Sequence, residues 1–395
     1  GVPPQLDTLL TSMLSLEPGQ RPPSMFDVID QLTLLLGDHA PCEAARARAW
    51  VEHPGLSGRD DELADLRQYV SRASLGDASA VCIEGPSGMG KTRLLRELAV
   101  EAQTSGFLTL RVRAEDRRSG PFAVFRTIAL SLLAEAGADA VAATEGIAHQ
   151  LVRVLPELRS CVACGEPEET ADPREERLRT QAALTEWLRR IASKRRLALI
   201  VDDLQRCDEA SAAVLAGVAC HGSPAMLLVG ATLRLDEAVR APDAIAWYRR
   251  VARDLHLRPL TEADVLDLVR VSFGDVEGIE RLSHHLHARG GGSPLATQEL
   301  MRWLVDSRSA RHIDGAWIIP PDDRLKTMPL DVGELIQARL DRLPRGARRL
   351  AEVIAVVGGE VSLRRCVLLS EEPEDHIFDM LDELGTKDMV VGSEL

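Results

Sequence analysis

Aromatic residues are scarce in this sequence and make up 3% of its 395 positions. Apolar residues as a whole reach 45%, so a sizeable core is expected, and aliphatic side chains must fill most of it. Long apolar runs are also lacking, because no stretch approaches the roughly eighteen residues that a membrane-spanning helix needs. The length alone predicts about two to three domains.

Positive charge falls well short of negative charge. The chain has 47 Lys and Arg residues against 61 Asp and Glu residues, and its formal net charge is −14. An acidic surface of this kind repels nucleic acid and anionic lipid. We therefore expect no direct nucleic-acid partner and no membrane association for this chain.

A disulfide framework is lacking as well. The seven cysteines are odd in number and spread along an acidic chain, which predicts reduced thiols and a cytoplasmic location. Cys161 and Cys164 form an isolated C-x-x-C pair, and zinc or redox chemistry is the alternative to an incidental loop pair. His284, His285 and His287 cluster without Cys or carboxylate at ligand spacing, so a metal is not expected there.

Residues 85–92 read GPSGMGKT and match the phosphate-loop pattern G-x-x-x-x-G-K-[ST]. A buried-strand pattern precedes the segment, and apolar residues at helical spacing follow it. Glycines let the backbone curl, so that N–H groups converge on phosphate oxygens at the start of a helix. Lys91 is expected to contact the β- and γ-phosphates, and the Thr92 hydroxyl to ligate Mg²⁺. The sequence thus predicts a site for ATP and Mg²⁺, whose loop contacts are Gly85, Pro86, Ser87, Gly88, Met89, Gly90, Lys91 and Thr92.

A pair of acids closes the apolar run at 197–201. Acids at the carboxyl end of a buried parallel strand face the crevice in which α/β sheets bind ligands. Asp202 is expected to contact Mg²⁺ directly or through water, and Asp203 to activate the attacking water as general base. The alternative is a solvated pair that only caps the strand.

The stretch LALIVDDLQRCDEAS at 197–211 resembles the Walker B region of the STAND ATPases, a group of AAA-related signalling nucleotidases. The commonest version of that motif reads DDLHWAD. This chain keeps both acids and Asp208, but it has Gln205 and Arg206 where that version has His and Trp. The resemblance extends over about residues 54–370, with its motifs in the family's order, and it implies an ATP-dependent module.

Other segments resemble the remaining motifs of this group. LSGRDDEL at 56–63 resembles the entry motif, which implies that Arg59 lies near the nucleotide base. LLVGATLR at 227–234 resembles the sensor strand, which implies that Thr232 and Arg234 approach the phosphates. With Lys91 and Asp203, Arg234 is a candidate catalytic residue. LRPLTE at 257–262 resembles the start of the family's helical lid, where Pro259 is implied to lie near adenine.

Two further segments complete the resemblance. GGSPL at 291–295 matches a GGNP turn of the lid, and LIQARLDRLP at 335–344 resembles the segment that leads into a winged-helix domain. Residues 6–35 resemble instead the last helices of a protein kinase C-lobe, with Arg21 at the family's RP position. An ordinary helix-turn-helix is the alternative. The chain has no VAIK, HRD or DFG motif, so no protein-kinase activity is expected from it.

These observations predict an α/β fold, namely a three-layer P-loop NTPase sandwich with a mostly parallel sheet, followed by a helical lid and the start of a winged-helix-like domain. Strands are expected near 79–84, 107–113, 197–202 and 225–232. The predicted domains are a kinase remnant (1–38), a linker (39–53), the ATPase domain (54–255), the lid (256–340) and the winged-helix-like start (341–395). Because the chain begins at Gly1 without Met, we expect a fragment of a bacterial serine/threonine kinase–ATPase protein.

Three functions remain open at this point. The first is a regulatory ATPase switch that a kinase or a repeat array reads, and the kinase-like N-terminus favours it. The second is the ATPase part of a large transcriptional activator, and the third is a nucleotide-bound scaffold that does not hydrolyse ATP. Expected partners are ATP, proteins that bind through parts outside this chain, and other copies in a nucleotide-dependent oligomer.

Overall fold

The computed structural model of this chain describes residues 4–15, 22, 28, 31, 32, 56–114, 120–162, 172–220, 225–313, 316–329, 332–341, 343–357, 361–370, 372–386, 389 and 390. Arg21, the predicted linker at 39–53 and Cys164 lie outside these residues. The chain divides into two units. One unit comprises 1–57, 261–290 and 296–332, and the other comprises 58–260, 291–295 and 333–395.

A five-stranded parallel sheet organises the second unit. Its strands are β1 (Ser79–Gly85), β2 (Leu108–Arg113), β3 (Leu197–Asp202), β4 (Leu227–Arg234) and β5 (Arg253–His256). They are ordered β2-β3-β4-β1-β5, and every pair is parallel. The first four confirm the strands predicted from apolar runs, and β5 was not predicted. The two central strands β1 and β4 are buried along almost their whole length.

Helices cover both faces of this sheet. The helices of the sheet-forming region are α2 (Asp60–Ser74), α3 (Lys91–Thr104), α4 (Ala123–Ala142), α5 (Ala148–Leu151), α6 (Pro173–Ala192), α7 (Glu209–Ala219) and α8 (Pro242–Val251). One core lies between the sheet and α4, α6, α7 and α8, and the other lies between the sheet and α2 and α3. Alternate strand residues serve the two cores, since successive side chains of a strand point to opposite faces. The predicted three-layer α/β sandwich is therefore confirmed.

The remaining elements follow the sheet in sequence, apart from α1 (Pro4–Met13). They are α9 (Glu262–Phe273), α10 (Ile279–Gly290), α11 (Pro294–Asp306), the hairpin strands β6 (Arg311–Ile313) and β7 (Ala316–Ile318), α12 (Asp322–Leu325), α13 (Val332–Leu340), α14 (Arg345–Val357), α15 (Leu363–Ser370) and α16 (Glu374–Thr386). Thr261 and Asp264 form a reciprocal capping box that starts α9. Helices α14, α15 and α16 share a small apolar cluster of their own. None of the helices within the described ranges has the length and apolar composition that crossing a bilayer requires.

Gly230 is the point at which the central strand β4 packs most tightly against α3. A Cβ atom at this position would lie 2.6 Å from Leu98 Cδ2 and 3.2 Å from Ile200 Cδ1. We expect Gly230→Ala to lower the free energy of unfolding by about 1–3 kcal/mol, because the added methyl overpacks a filled core. Urea unfolding followed by circular dichroism measures this.

Gly385 provides the matched control for that substitution. It lies near the end of α16, and a Cβ atom there meets nothing within 4 Å. Gly385→Ala should leave the urea midpoint unchanged or raise it slightly, since Ala is the better helix former. Equal midpoints for Gly230→Ala and the wild type would contradict the packing described here.

Candidate nucleotide-binding site

The phosphate-loop segment connects β1 to α3 in a tight curl. Gly88 and Gly90 both adopt left-handed backbone conformations, with φ of 80° and 89°. Gly90 is the residue before the first turn of α3, and it has no side chain to cover the N–H groups of that turn. Such a helix start attracts anions, because its N–H groups are unpaired and the helix dipole is positive there.

Lys91 lies inside the curl of this loop and is buried. Its Nζ donates hydrogen bonds to the carbonyl oxygens of Gly85, at 2.9 Å, and Pro86, at 2.6 Å. Burial lowers the pKa of Lys91 from its usual value, and the positive charge of Arg234 lowers it further. Three carboxylates oppose this shift, those of Asp236, Asp203 and Asp202. A triphosphate would add negative charge next to Lys91 and so favour its charged form.

Thr92 and Asp202 meet at the carboxyl end of the sheet. Thr92 Oγ1 donates to the Asp202 carboxylate, with oxygen–oxygen distances of 3.1 and 3.0 Å. Both residues remain accessible to solvent. A hydroxyl and a carboxylate at this spacing suit Mg²⁺, which prefers oxygen ligands and is held by one or two protein groups plus phosphates and water. These two residues therefore fit the ion that the sequence predicts.

Asp203 follows β3 and has a strained backbone, with φ of 58° and ψ of 48°. Arg113 at the end of β2 donates to Asp203 Oδ2 from Nε, at 3.0 Å, and from Nη2, at 2.9 Å. Gln205 Nε2 donates to Asp203 Oδ1 at 3.2 Å. Burial alone would raise the pKa of Asp203, but these hydrogen bonds and the Arg113 charge outweigh it and hold the pKa below its usual value.

The end of β4 supplies the predicted sensor residues. Thr232 is fully buried, and its hydroxyl joins the two acids: it donates to Asp202 Oδ1 at 2.6 Å and accepts from the Asp203 backbone N–H at 2.8 Å. Arg234 instead pairs with acids of its own segment, with Glu237 at 3.2 Å and Asp236 at 3.5 Å. The phosphate loop also contacts this segment, because the Ser87 N–H donates to Asp236 Oδ2 at 3.2 Å.

The segment at 257–260 and the turn at 291–295 both contact the phosphate loop or the strand before it. The Leu257 N–H donates to the Glu84 carbonyl oxygen, at 2.8 Å. The Leu295 N–H and the Ser293 hydroxyl both donate to the Gly88 carbonyl oxygen, at 3.2 and 3.3 Å. A Cβ atom on Gly88 would lie 2.9 Å from Ser293 Oγ, so this approach requires glycine.

Arg59 and Pro259, the two residues implied to lie near the base, belong to neighbouring segments. Arg59 is buried, and its Nη2 donates to the Arg258 carbonyl oxygen at 2.7 Å. Glu62 neutralises the same guanidinium at 2.8 Å. Pro259 lies against Gly292, whose close approach leaves no room for a Cβ atom. The structure thus brings Arg59, Pro259, the turn and the loop together within one unit.

Glu84 supports the strand that leads into the loop. Its buried carboxylate pairs with Arg249, at 2.5 Å from Nε, and Arg249 also reaches Asp254 at 4.0 Å. Cys82 Sγ lies 3.6 Å from Glu84 Oε1, and burial raises the pKa of this thiol well above its usual value. Cys82, Glu84 and Asp254 are close enough to share a metal ion, but Arg249 already supplies the positive charge. We therefore assign the cluster a structural role.

Sequence reasoning missed three residues that contact the predicted ones: Arg113, Gln205 and Glu237. Gln205 stands where the commonest family motif has His, and neither Arg113 nor Glu237 belongs to a motif. Arg113 closes a predicted strand as Asp202 does, but only the strand register shows that the two residues are paired. Predicting that Glu237 lies near the acid pair requires the strand order, which places β4 beside β3.

Residues 55–229 match the protein-family model described as AAA ATPase domain. Comparison with curated proteins finds no match. Similar solved structures include the ORC1 protein of Aeropyrum pernix in complex with DNA, with 17% identity, a TM-score of 0.41 and 86% of each chain covered. ORC of Drosophila bound to DNA has 14% identity and a TM-score of 0.43, with 91% of this chain and 87% of that chain covered.

A STAND protein with a tetratricopeptide repeat sensor from Pyrococcus horikoshii has 14% identity and a TM-score of 0.49. The alignment covers 84% of this chain and 39% of that chain. The match to the family model spans the entry segment, the phosphate loop, the acid pair and most of the parallel sheet. This part of the chain is similar to AAA ATPase domains, and its parallel sheet with helices on both faces has the fold of the P-loop NTPases.

Proposed function

We propose that this chain is an ATP-binding and ATP-hydrolysing regulatory switch. ATP and Mg²⁺ would bind at the phosphate loop, with Lys91 on the phosphates and with Thr92 and Asp202 on the metal ion. Asp203 would activate the attacking water. This assignment is supported by the position of the phosphate loop, the acid pair and the sensor strand, which meet at the carboxyl end of the sheet, where α/β folds bind ligands.

One observation favours a switch over a simple ATPase. The Gly88 carbonyl oxygen accepts hydrogen bonds from Ser293, in the turn between α10 and α11, and from Leu295, in the first turn of α11. The loop that we expect to hold the phosphates is therefore hydrogen-bonded to the segment that connects two helices of the predicted lid. A ligand shifts an equilibrium by its difference in affinity for the two states, and these contacts can supply such a difference.

The wider context is also part of the proposal. The kinase-like sequence at 6–35 favours a role in a bacterial serine/threonine kinase–ATPase signalling protein, in which protein partners bind through parts outside this chain. The odd number of cysteines, spread along an acidic chain, favours a reducing cytoplasm. Sequencing the parent reading frame tests the kinase context.

Hydrogen exchange tests the switch directly. We expect ATP to protect residues 256–300 more than ADP does, because the γ-phosphate adds contacts near Gly88 and Arg234. A coupling on the order of 1–3 kcal/mol is usual for such systems. Arg234→Ala should erase the difference between the nucleotides, whereas Arg177→Ala, at an exposed position of α6, should preserve it. Equal protection by ATP and ADP in the wild type would favour a nucleotide-bound scaffold instead.

A further inference from the structure

Gln205 is fully buried beside the candidate general base. Its side-chain amide makes three hydrogen bonds. Nε2 donates to Asp203 Oδ1 at 3.2 Å and to Glu237 Oε2 at 3.1 Å, and Oε1 accepts from the Arg234 backbone N–H at 3.1 Å. This one side chain therefore connects the end of β3 to the end of β4.

The three partners determine which chemical group can occupy this position. Two of them are ionised carboxylates, which only accept hydrogen bonds, and the third is a backbone N–H, which only donates. A carboxamide offers two donors and an acceptor, and a single orientation of the amide satisfies all three partners. A carboxylate in place of the amide would be repelled by the carboxylates of Asp203 and Glu237. An apolar side chain would leave buried polar groups without hydrogen-bond partners.

The second group that holds Asp203, the Arg113 guanidinium, differs from Gln205 in its exposure to solvent. Arg113 reaches Asp203 with a side chain that is 66% exposed, whereas the Asp203 side chain is 9% exposed. An ion pair that includes an exposed arginine contributes little net free energy, because water screens the charges and ordering the long side chain costs entropy. Gln205 is enclosed on all sides, and its backbone carbonyl also accepts from the Arg240 N–H at 2.9 Å. Of the two side chains that hold the Asp203 carboxylate, Gln205 is therefore the one that solvent does not reach.

Glu237 extends this connection to the sensor arginine. Its two carboxylate oxygens accept from Gln205 Nε2 and from Arg206 Nε, the latter at 2.7 Å, and Arg234 pairs with the same group at 3.2 Å. A displacement of Arg234 thus acts on Glu237 and, through it, on the amide that holds Asp203. General bases lose efficiency when their carboxylate is misoriented by fractions of an ångström.

We infer that Gln205 is a positioning residue for ATP hydrolysis, which fixes the Asp203 carboxylate relative to Arg234 at the end of β4. The inference rests on the proposed ATPase function. Gln205 does not contact nucleotide in this role; it acts through Asp203 and through the sensor strand. Its removal should therefore lower kcat and leave the affinity for ATP unchanged.

Steady-state kinetics of Gln205→Met, made in the full chain, test the inference. We expect kcat to fall about tenfold or more, a part of the 10²–10⁴-fold that a positioned base contributes, with KM and the Kd for ATP unchanged. Gln205→His should recover part of kcat, because neutral imidazole retains one donor and one acceptor. Gln103→Met, at an exposed position of α3, is the matched control and should hydrolyse ATP at the wild-type rate.

A double-mutant cycle shows whether Gln205 acts through Asp203. If it does, Gln205→Met lowers the residual kcat of Asp203→Asn no further. Wild-type kcat in Gln205→Met, or losses that multiply in the double variant, would overturn the role of Gln205 alone. An equal loss in Gln205→His and Gln205→Met, with weaker ATP binding in both, would mean a purely structural residue. No turnover in the wild type would overturn the proposed function and this inference with it.

Discussion

Lys91→Ala is expected to weaken ATP binding by about tenfold or more. The substitution removes the charge that faces the β- and γ-phosphates, and a charge-assisted contact of this kind contributes about 1.5–3 kcal/mol. Lys91 is buried within the loop, where its Nζ donates to two carbonyl oxygens, and one or more of these bonds would be exchanged for bonds to phosphate oxygens. Isothermal calorimetry with ATP and Mg²⁺ measures the change.

Lys194 provides the matched control for this loss of charge. It is exposed in the turn after α6, at the end of the sheet opposite to the acids. Lys194→Ala should bind ATP as the wild type does. If Lys91→Ala also bound ATP with wild-type affinity, the assignment of residues 85–92 as the phosphate-binding loop would be wrong.

Asp203→Asn is expected to abolish most of the ATP turnover while ATP binding persists. Asn has the same shape and tolerates the left-handed backbone at this position, but it cannot accept a proton from water. The loss should be about 10²–10⁴-fold in kcat, the usual contribution of a general base. Asp202→Asn should behave differently and weaken both ATP binding and turnover. The Asp202 carboxylate accepts a hydrogen bond from Thr92 at the place where the metal ion is expected.

A phosphate-release assay and equilibrium ATP binding, performed on the same preparations, separate these outcomes. Asp267→Asn, at an exposed position of α9, controls for the loss of one negative charge and should be silent in both. If Asp203→Asn hydrolysed ATP at the wild-type rate, Asp203 would be excluded as the general base. Arg113→Ala is informative beside it: release of Oδ2 from the guanidinium should increase turnover if the Arg113 pair restrains the base.

The features that the sequence predicted are those encoded in local patterns. Four strands and the phosphate loop depend on consecutive residues, such as the uninterrupted apolar run before Asp202. Strand β5 was not predicted because its four residues, Arg253–His256, are mostly charged or polar and lie at the edge of the sheet. Edge strands bury less surface, so they need no apolar alternation.

The contacts around Asp203 depend on strand order rather than on pattern. Strand β2 lies beside β3, and so the register brings Arg113 to the acid pair. Strand β4 lies on the other side of β3 and brings Thr232 and Glu237. Neither neighbour can be inferred from the spacing of residues that lie 29 to 90 positions apart in sequence. For the same reason the sequence does not predict the contacts that Gln205 makes with Asp203 and Glu237.

The backbone conformation of Asp203 restricts which residues evolution or engineering can place there. With φ of 58°, the position disfavours most side chains, whereas Asp and Asn compensate through short polar side chains that hydrogen-bond locally. Glutamate would carry the same charge, yet it would place its carboxylate one carbon further from Gln205 and Arg113. The backbone conformation and the distance to these two partners thus both favour aspartate over glutamate at this position.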